Sequence, residues 1–301
     1  MIATWVWITL IAALSQALRF MFQKKLVGAG LSATASTFAR FVFAAPIVLV
    51  IAVMYARLSG QGAPSLSGAF WAHAVVGGLS QILATVCVVA LFAHRNFAVG
   101  ITFKKTEVLQ SVLVGYVVLG DTASWLGVLA ILIGIGGVLL IADPPEAQGA
   151  WRKRILNRAA GLGLLSGFFF GISGVSYRGA SLALGAGDTF YRAIVAMAFV
   201  VVFQVIVLAV WLALREPGQI MATLRAWRMV ALVALTSMIG TICWFTAFTL
   251  QTAGYVNAVG QVELVFSLMI GAVAFGETIS RREWQGMVLL AISVVSLVLI
   301  A

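Results

Sequence analysis

The chain has 301 residues, of which 62% are hydrophobic and only 9% are charged, and its mean hydropathy is +1.10. A soluble domain of this length would carry about 25% charged residues, so this composition excludes a water-soluble protein and indicates one that crosses a membrane many times. The net charge of +10 does not require nucleic acid as a partner, because basic residues also gather at one face of a membrane.

Ten apolar segments approach the length of about 20 residues that a helix needs to cross the hydrocarbon core. They predict an all-α polytopic membrane protein with ten transmembrane helices. Pro46 falls inside the second segment and predicts a kink there. In chain order, the predicted spans are residues 4–23, 34–56, 70–92, 99–119, 125–142, 159–178, 189–214, 229–250, 257–275 and 284–301.

The basic residues outside these spans are unevenly distributed. Apart from Arg57 and Arg178, they all fall in odd-numbered connections, which the positive-inside rule places in the cytoplasm. Both termini are then expected on the periplasmic or extracellular side of the inner (plasma) membrane. Residues 1–23 carry no charged segment before the first span, so they are not expected to be a cleaved signal peptide.

A block of polar and small residues occurs twice at one constant offset. Its first copy is Glu107, Ser111, Gly115, Gly120, Asp121, Thr122 and Ser124, and its second is Glu263, Ser267, Gly271, Gly276, Glu277, Thr278 and Ser280. Each copy belongs to a half with five predicted spans, residues 1–142 and 159–301, joined by a basic cytoplasmic linker at 143–158. Because five is odd, the second half enters the membrane in the opposite sense, which predicts inverted repeats and a substrate site between them.

Two glutamates, Glu107 and Glu263, lie inside predicted spans at equivalent positions of the repeats. A charge at the bilayer centre costs about 2.5–3.5 kcal/mol on insertion scales, so each glutamate needs a partner or a watery cavity. Lys104 shares a helical face with Glu107, whereas Glu263 has no base beside it along the chain. Either both carboxylates hold the bundle together, or Glu263 lines a cavity, where burial favours its neutral form and it binds an ammonium group or a proton.

Further polar residues inside the spans complete the polar part of the candidate site. Lys105 and Arg40 are expected in the cytoplasmic half near Glu107, where they and Lys104 suit a substrate carboxylate. Asn257 and Gln261 precede Glu263 and suit a substrate ammonium group together with it. The copies differ at this point, because positions that hold cations in the first repeat hold neutral groups in the second. We therefore expect the substrate site to include positions at which the two copies differ.

Two aromatic residues, Trp244 and Tyr177, lie in the middle of predicted spans rather than at their ends. They can stack on an apolar or aromatic ligand, although core packing is the more common role of such residues. His73 and His94 are isolated at span ends, and there is no phosphate-binding Gly-Lys-Ser/Thr motif. The sequence therefore predicts no catalytic residue, no metal site and no cofactor.

The repeated block from Glu107 to Ser124 and from Glu263 to Ser280 resembles the end of the EamA repeat of the drug/metabolite transporter superfamily. The resemblance extends over essentially the whole chain, and it implies ten helices in two inverted five-helix repeats. Within that superfamily the chain is most similar to YddG-type exporters of aromatic and other apolar amino acids. The resemblance therefore implies export of such amino acids by alternating access through a cavity lined by both repeats.

Two other functions stay open from the sequence. An exchanger of phosphorylated metabolites or nucleotide sugars would use Lys104 and Lys105 to hold phosphate. A non-transporting membrane scaffold would pair its intramembrane charges with one another. The expected partners are the lipid bilayer and a small-molecule substrate, with no nucleic acid, and the expected state is a monomer.

Overall fold

The structure is a computed structural model that describes residues 3–91, 103–142, 158–275 and 280–300. Every regular element within these ranges is a helix, as the composition predicts. Seven helices in this part of the chain are long and apolar enough to cross a membrane, and three shorter apolar helices accompany them. The protein is therefore a multi-pass membrane protein.

Thirteen helices are numbered here in chain order. The first six are α1 (Thr4–Gly28), α2 (Ala33–Phe38), α3 (Ala44–Leu58), α4 (Gly68–Leu91), α5 (Glu107–Leu119) and α6 (Trp125–Ala142). The remaining seven are α7 (Arg158–Ala183), α8 (Thr189–Arg215), α9 (Gln219–Arg225), α10 (Trp227–Leu250), α11 (Ala253–Gly260), α12 (Glu263–Phe275) and α13 (Arg281–Ile300). The predicted linker at 143–158, apart from its last residue, and the second Gly-Glu turn at 276–277 lie outside the described residues.

The apolar stretch that contains α2 and α3 is interrupted between the two helices. Residues 39–43 form tight turns, in which the N–H groups of Phe41 and Val42 both donate to the Phe38 carbonyl. Pro46 stands in the first turn of α3, where it has no N–H for the Val42 carbonyl and its ring crowds that group. The predicted distortion is therefore present, and it lies on the N-terminal side of the proline.

Two other stretches are interrupted directly before a glutamate. A turn at residues 105–106 precedes Glu107, the first residue of α5, and a turn at 261–262 precedes Glu263, the first residue of α12. The N-terminus of a helix carries a partial positive charge, which stabilises a carboxylate in its first turn. These breaks therefore place the two repeat-equivalent carboxylates at buried helix N-termini.

Long helices pack in pairs, and glycines bring some of them very close. Helix α4 lies along α7, α1 along α10, and α6 along α13. A Cβ added at Gly137 of α6 would lie 2.7 Å from the Gly286 carbonyl oxygen of α13, and one added at Gly167 of α7 would lie 2.7 Å from the Lys104 carbonyl oxygen. Small residues permit such approaches between helices in lipid. Gly167 thereby allows α7 to pack closely against the break that precedes Glu107.

The outer surface of the protein is apolar and suits contact with lipid. Large apolar side chains such as Leu58, Val117 and Trp125 point outward and are strongly exposed. Lipid tails are themselves apolar, so exposing such side chains to a membrane carries no free-energy penalty.

Cys87 and Cys243 are free cysteines in the structure.

Candidate functional site

One cluster contains all six charged side chains that are buried in the described part of the chain. Its members are Arg19, Arg40, Lys104, Lys105, Glu107 and Glu263. Lys104 Nζ lies 3.4 Å from Glu107 Oε2 and 3.7 Å from Glu263 Oε2. Lys105 Nζ lies 3.1 Å from Glu263 Oε2. The two lysines therefore link the first and second halves of the chain through buried ion pairs.

The expectation that Glu263 has no base nearby is wrong. The broken ends of α5 and α12 meet inside the bundle, where Gln261 Nε2 donates to Glu107 Oε1 at 3.2 Å. Lys105, expected beside Glu107, is paired with Glu263 instead, across 158 residues of sequence. The neutral form inferred for Glu263 loses its basis, since two ammonium groups favour the carboxylate. The expected contrast between a cationic and a neutral half is likewise replaced by one shared cluster.

A cavity lies beside the cluster, and the roughly 500 Å³ of space free of protein atoms at this place includes open solvent. Five of the eight residues predicted from the sequence line it, namely Arg40, Tyr177, Trp244, Asn257 and Glu263. The other three, Lys104, Lys105 and Gln261, are buried and are not among the lining residues, and each contacts a lining glutamate. In this structure the three side chains support the lining through these glutamates.

Several lining residues were missed from the sequence. Gln16 and Gln81 both line the cavity, and each lies inside a predicted span. A polar amide inside a membrane span is itself a signal of function or of a buried contact, and it could have identified them. Gln16 Nε2 donates to Glu263 Oε2 at 2.9 Å, and Gln81 Oε1 accepts from Ser173 Oγ at 2.7 Å.

Arg40 brings the break between α2 and α3 into contact with the cavity. Its Nε donates to Ser237 Oγ at 3.0 Å, and its Nη1 donates to Thr85 Oγ1 at 2.6 Å. The guanidinium also lies over the Phe41 ring, 4.7 Å from its centroid. Within the described residues, no carboxylate lies within ion-pair distance of Arg40. This buried cation is thus bound only to neutral groups of the protein, and it can accept an anionic ligand.

Several oxygen atoms of the lining, Glu263 Oε1 and Asn257 Oδ1 among them, accept no hydrogen bond from the described residues. Glu263 makes its contacts within this part of the chain through Oε2. Asn257 Nδ2 donates to Ser111 Oγ at 2.6 Å, while its Oδ1 accepts no hydrogen bond from the same part of the chain. Both residues line the cavity, so these acceptors suit a donor group of a ligand.

Aromatic rings form the apolar part of the lining. Tyr177 is stacked on Phe245 at a centroid distance of 4.1 Å, and its hydroxyl accepts a hydrogen bond from Gln204 Nε2 at 3.2 Å. Trp244 is stacked on Phe248 at 5.6 Å. Tyr177 and Trp244 therefore pack against neighbouring aromatic rings and also line the cavity.

Arg178 links three segments next to the aromatic lining. Sequence analysis placed it in a connection, but it lies within α7 and follows Tyr177 directly. Its Nε donates to Asp121 Oδ2 at 3.1 Å, and its Nη1 donates to the carbonyls of Phe248 at 2.9 Å and Gln251 at 3.0 Å. Asp121 follows the left-handed Gly120 that ends α5, so these contacts of Arg178 tie α5, α7 and α10 together.

Comparisons with known proteins add a family and a fold. The model of the EamA-like transporter family matches residues 3–142 and again 157–299. A solved structure described only as "Crystal structure of protein" is 17% identical, covers 98% of this chain and 99% of its own, and has a TM-score of 0.66, which shows a shared fold. A sodium-calcium exchanger structure, NCX_Mj, is 17% identical over 98% of both chains, but its TM-score of 0.20 supports no conclusion. No curated protein matches significantly.

Proposed function

This chain belongs to the EamA-like transporter family and is a membrane transporter, and we propose that it exports amino acids, preferring aromatic and other apolar ones, across the inner membrane. The observation that carries the proposal is the mixed character of the cavity lining. Arg40, a buried guanidinium with no carboxylate partner among the described residues, and the aromatic rings of Tyr177 and Trp244 line the same cavity. An aromatic amino acid likewise combines a carboxylate with an apolar ring.

The contacts of the lining suggest how such a substrate would bind. Its carboxylate would accept hydrogen bonds from Arg40, which are charge-assisted and therefore stronger than neutral ones. Its ammonium group would donate to Glu263 Oε1 and Asn257 Oδ1, which accept no hydrogen bond from the described residues. Its side chain would contact Trp244 and Tyr177. Lys104 and Lys105, first considered as carboxylate ligands, would instead neutralise and position the glutamates.

We further propose ten spans in two inverted repeats, residues 1–142 and 159–301, joined by a cytoplasmic linker at 143–158. The family model matches twice, and the described chain contains seven long and three shorter apolar helices. The packing also supports exchange symmetry, since the pair α1 and α10 and the pair α4 and α7 are equivalent when the two halves are interchanged. Alternating access would then move one repeat against the other around the cavity, with both termini outside.

Transport of labelled phenylalanine tests the proposal directly. Efflux from proteoliposomes that contain the purified protein should occur and should be inhibited by unlabelled tryptophan or leucine. Trp244→Ala should lower the efflux about tenfold, because an aromatic contact contributes about 0.5–1.5 kcal/mol in addition to its buried area. Trp125→Ala, on the exposed surface of α6, is the matched control and should transport like the parent. Absent efflux, or equal rates for the two variants, would contradict the site.

Gly260 offers a second test, based on size. A Cβ added there would lie 2.5 Å from Trp244 Cη2, so Gly260→Ala must displace the indole. Because Gly260 and Trp244 both line the cavity, the displaced ring reduces the space beside it. In this variant, unlabelled tryptophan should inhibit phenylalanine efflux about tenfold less strongly, while inhibition by alanine should change little. Gly136→Ala, where an added Cβ would meet nothing within 4 Å, is the control. An equal loss for both competitors would contradict a role in size selection.

The two other functions lose their structural support. Lys104 and Lys105 are each paired with carboxylates and are not among the lining residues, which removes the basis for a phosphate site there. A scaffold would pair its buried charges with one another, but Arg40 has no such partner among the described residues and faces a polar cavity.

A further inference from the structure

The buried cluster contains more positive than negative charge. Lys104 and Lys105 are paired with Glu107 and Glu263, so these four side chains neutralise one another. Among the described residues, Arg40 makes hydrogen bonds only to hydroxyl groups. The excess must therefore be carried by the two arginines.

Arg19 is the second buried cation without an ion pair in the described structure. Its Nη1 donates to Gln23 Oε1 at 2.9 Å, its guanidinium lies 4.2 Å from the Phe20 ring centroid, and its Nη2 is buried without a hydrogen-bond partner. It lies one helical turn from Gln16, which lines the cavity, and it interacts electrostatically with Arg40. Since water screens buried charges poorly, the positive potential of Arg19 extends to the region of the cavity next to Arg40.

This excess decides between classes of ligand. A ligand that carries one negative charge reduces it, a zwitterion leaves the total unchanged, and a cation increases it. An uncompensated charge in a poorly solvated site is strongly unfavourable. The net charge of the site therefore favours a carboxylate, and it does not require the ammonium group of an amino acid.

We infer that the substrate carboxylate is the determinant of recognition and that the cavity also takes apolar monocarboxylates that lack an amino group, such as aryl-substituted acetates and propionates. The inference rests on the proposed function, because both place a carboxylate on Arg40 and an apolar group against Trp244 and Tyr177. The inference differs from the proposed function in two respects. A ligand does not need an ammonium group to bind, and an amine without a carboxylate does not bind.

Binding to the purified full-length protein tests this without any transport measurement. The melting temperature in detergent is recorded with increasing phenylacetate, phenylalanine or phenethylamine, at constant ionic strength. Phenylacetate should raise the melting temperature at least as much as phenylalanine at equal concentration, because a ligand that binds only the folded state stabilises it. Phenethylamine should produce no shift. Acetate, which has no apolar group, should bind at least tenfold more weakly than phenylacetate.

Variants then locate the effect. Arg40→Gln should abolish the shift by phenylacetate, and Arg19→Gln should weaken phenylacetate binding several-fold, while Arg57→Gln at the exposed end of α3 should leave it unchanged. A shift by phenethylamine equal to that by phenylacetate, or no shift by phenylacetate, overturns the inference, and both results come from the parent protein alone. Phenylalanine efflux without phenylacetate binding refutes this inference only. Phenylacetate binding without amino acid efflux refutes the proposed amino acid export only.

Discussion

Arg40→Gln is expected to lower phenylalanine efflux about 100-fold while changing the thermal stability of the protein little. Truncating one partner of a buried, hydrogen-bonded charge pair costs about 2–5 kcal/mol, and the substrate carboxylate would be that partner. The fold should tolerate the change, because Arg40 is bonded to the hydroxyls of Thr85 and Ser237 and to no carboxylate of the described chain. Efflux from proteoliposomes and melting in detergent measure the two quantities separately.

Two further variants sharpen this prediction. Arg40→Lys keeps the positive charge but lacks the planar fork that binds a carboxylate through two hydrogen bonds, so an intermediate rate is expected. Arg57→Gln applies the same substitution to an exposed basic residue in the last turn of α3 and should behave like the parent. Parent-like transport by Arg40→Gln would show that the carboxylate binds elsewhere.

Glu263→Gln is expected to destabilise the protein by about 3–5 kcal/mol, as is typical when one member of a buried ion pair is removed. Lys105 would lose its only carboxylate partner in the described structure, and Lys104 would keep only Glu107. Glu107→Gln should cost less, because Lys104 then retains Glu263 at 3.7 Å. Chemical or thermal unfolding in detergent compares the two variants.

A double variant separates the effect of the unpaired cation on stability from the effect of the changed side-chain shape. In the Glu263→Gln background, Lys105→Met removes the uncompensated cation and should recover much of the lost stability, since an apolar replacement of a buried pair is often neutral. Glu283→Gln is the control, because this exposed side chain accepts a hydrogen bond from the Ser280 N–H, and glutamine can accept the same bond. If the double variant were no more stable than the single one, the pair would not be the cause of the loss.

Composition and local pattern sufficed for the helical membrane architecture and for five of the fourteen residues that line the cavity. They also distinguish two similar segments. Thr37-Phe38-Ala39-Arg40 matches Thr189-Phe190-Tyr191-Arg192, yet the first segment is followed by a break and the second lies within the continuous α8. Pro46 of the first half is replaced by Ala198 in the second, which leaves the backbone hydrogen bonds of α8 intact. The distortion predicted at Pro46 accounts for this difference.

The pairing of Lys105 with Glu263 could not be anticipated in that way. Helical periodicity relates residues three or four positions apart, and it correctly associated Lys104 with Glu107. It does not specify how α5 and α12 are rotated and where their broken ends meet, and this arrangement alone brings Lys105 to Glu263. The same long-range packing decided that Gln261 lies behind the cavity while Asn257 lines it.

The ion pairs across the two halves also constrain how the chain is assembled during synthesis. Lys104 and Lys105 are translated and inserted long before Glu263, so until then four cations accompany a single carboxylate, Glu107, in the segment that will become the core. Such charges are unfavourable in the hydrocarbon region, and the early helices are therefore expected to remain loosely associated, with their charged faces directed towards water. Insertion of α12 supplies the missing carboxylate. We therefore expect the bundle to become compact only after α12 has been inserted.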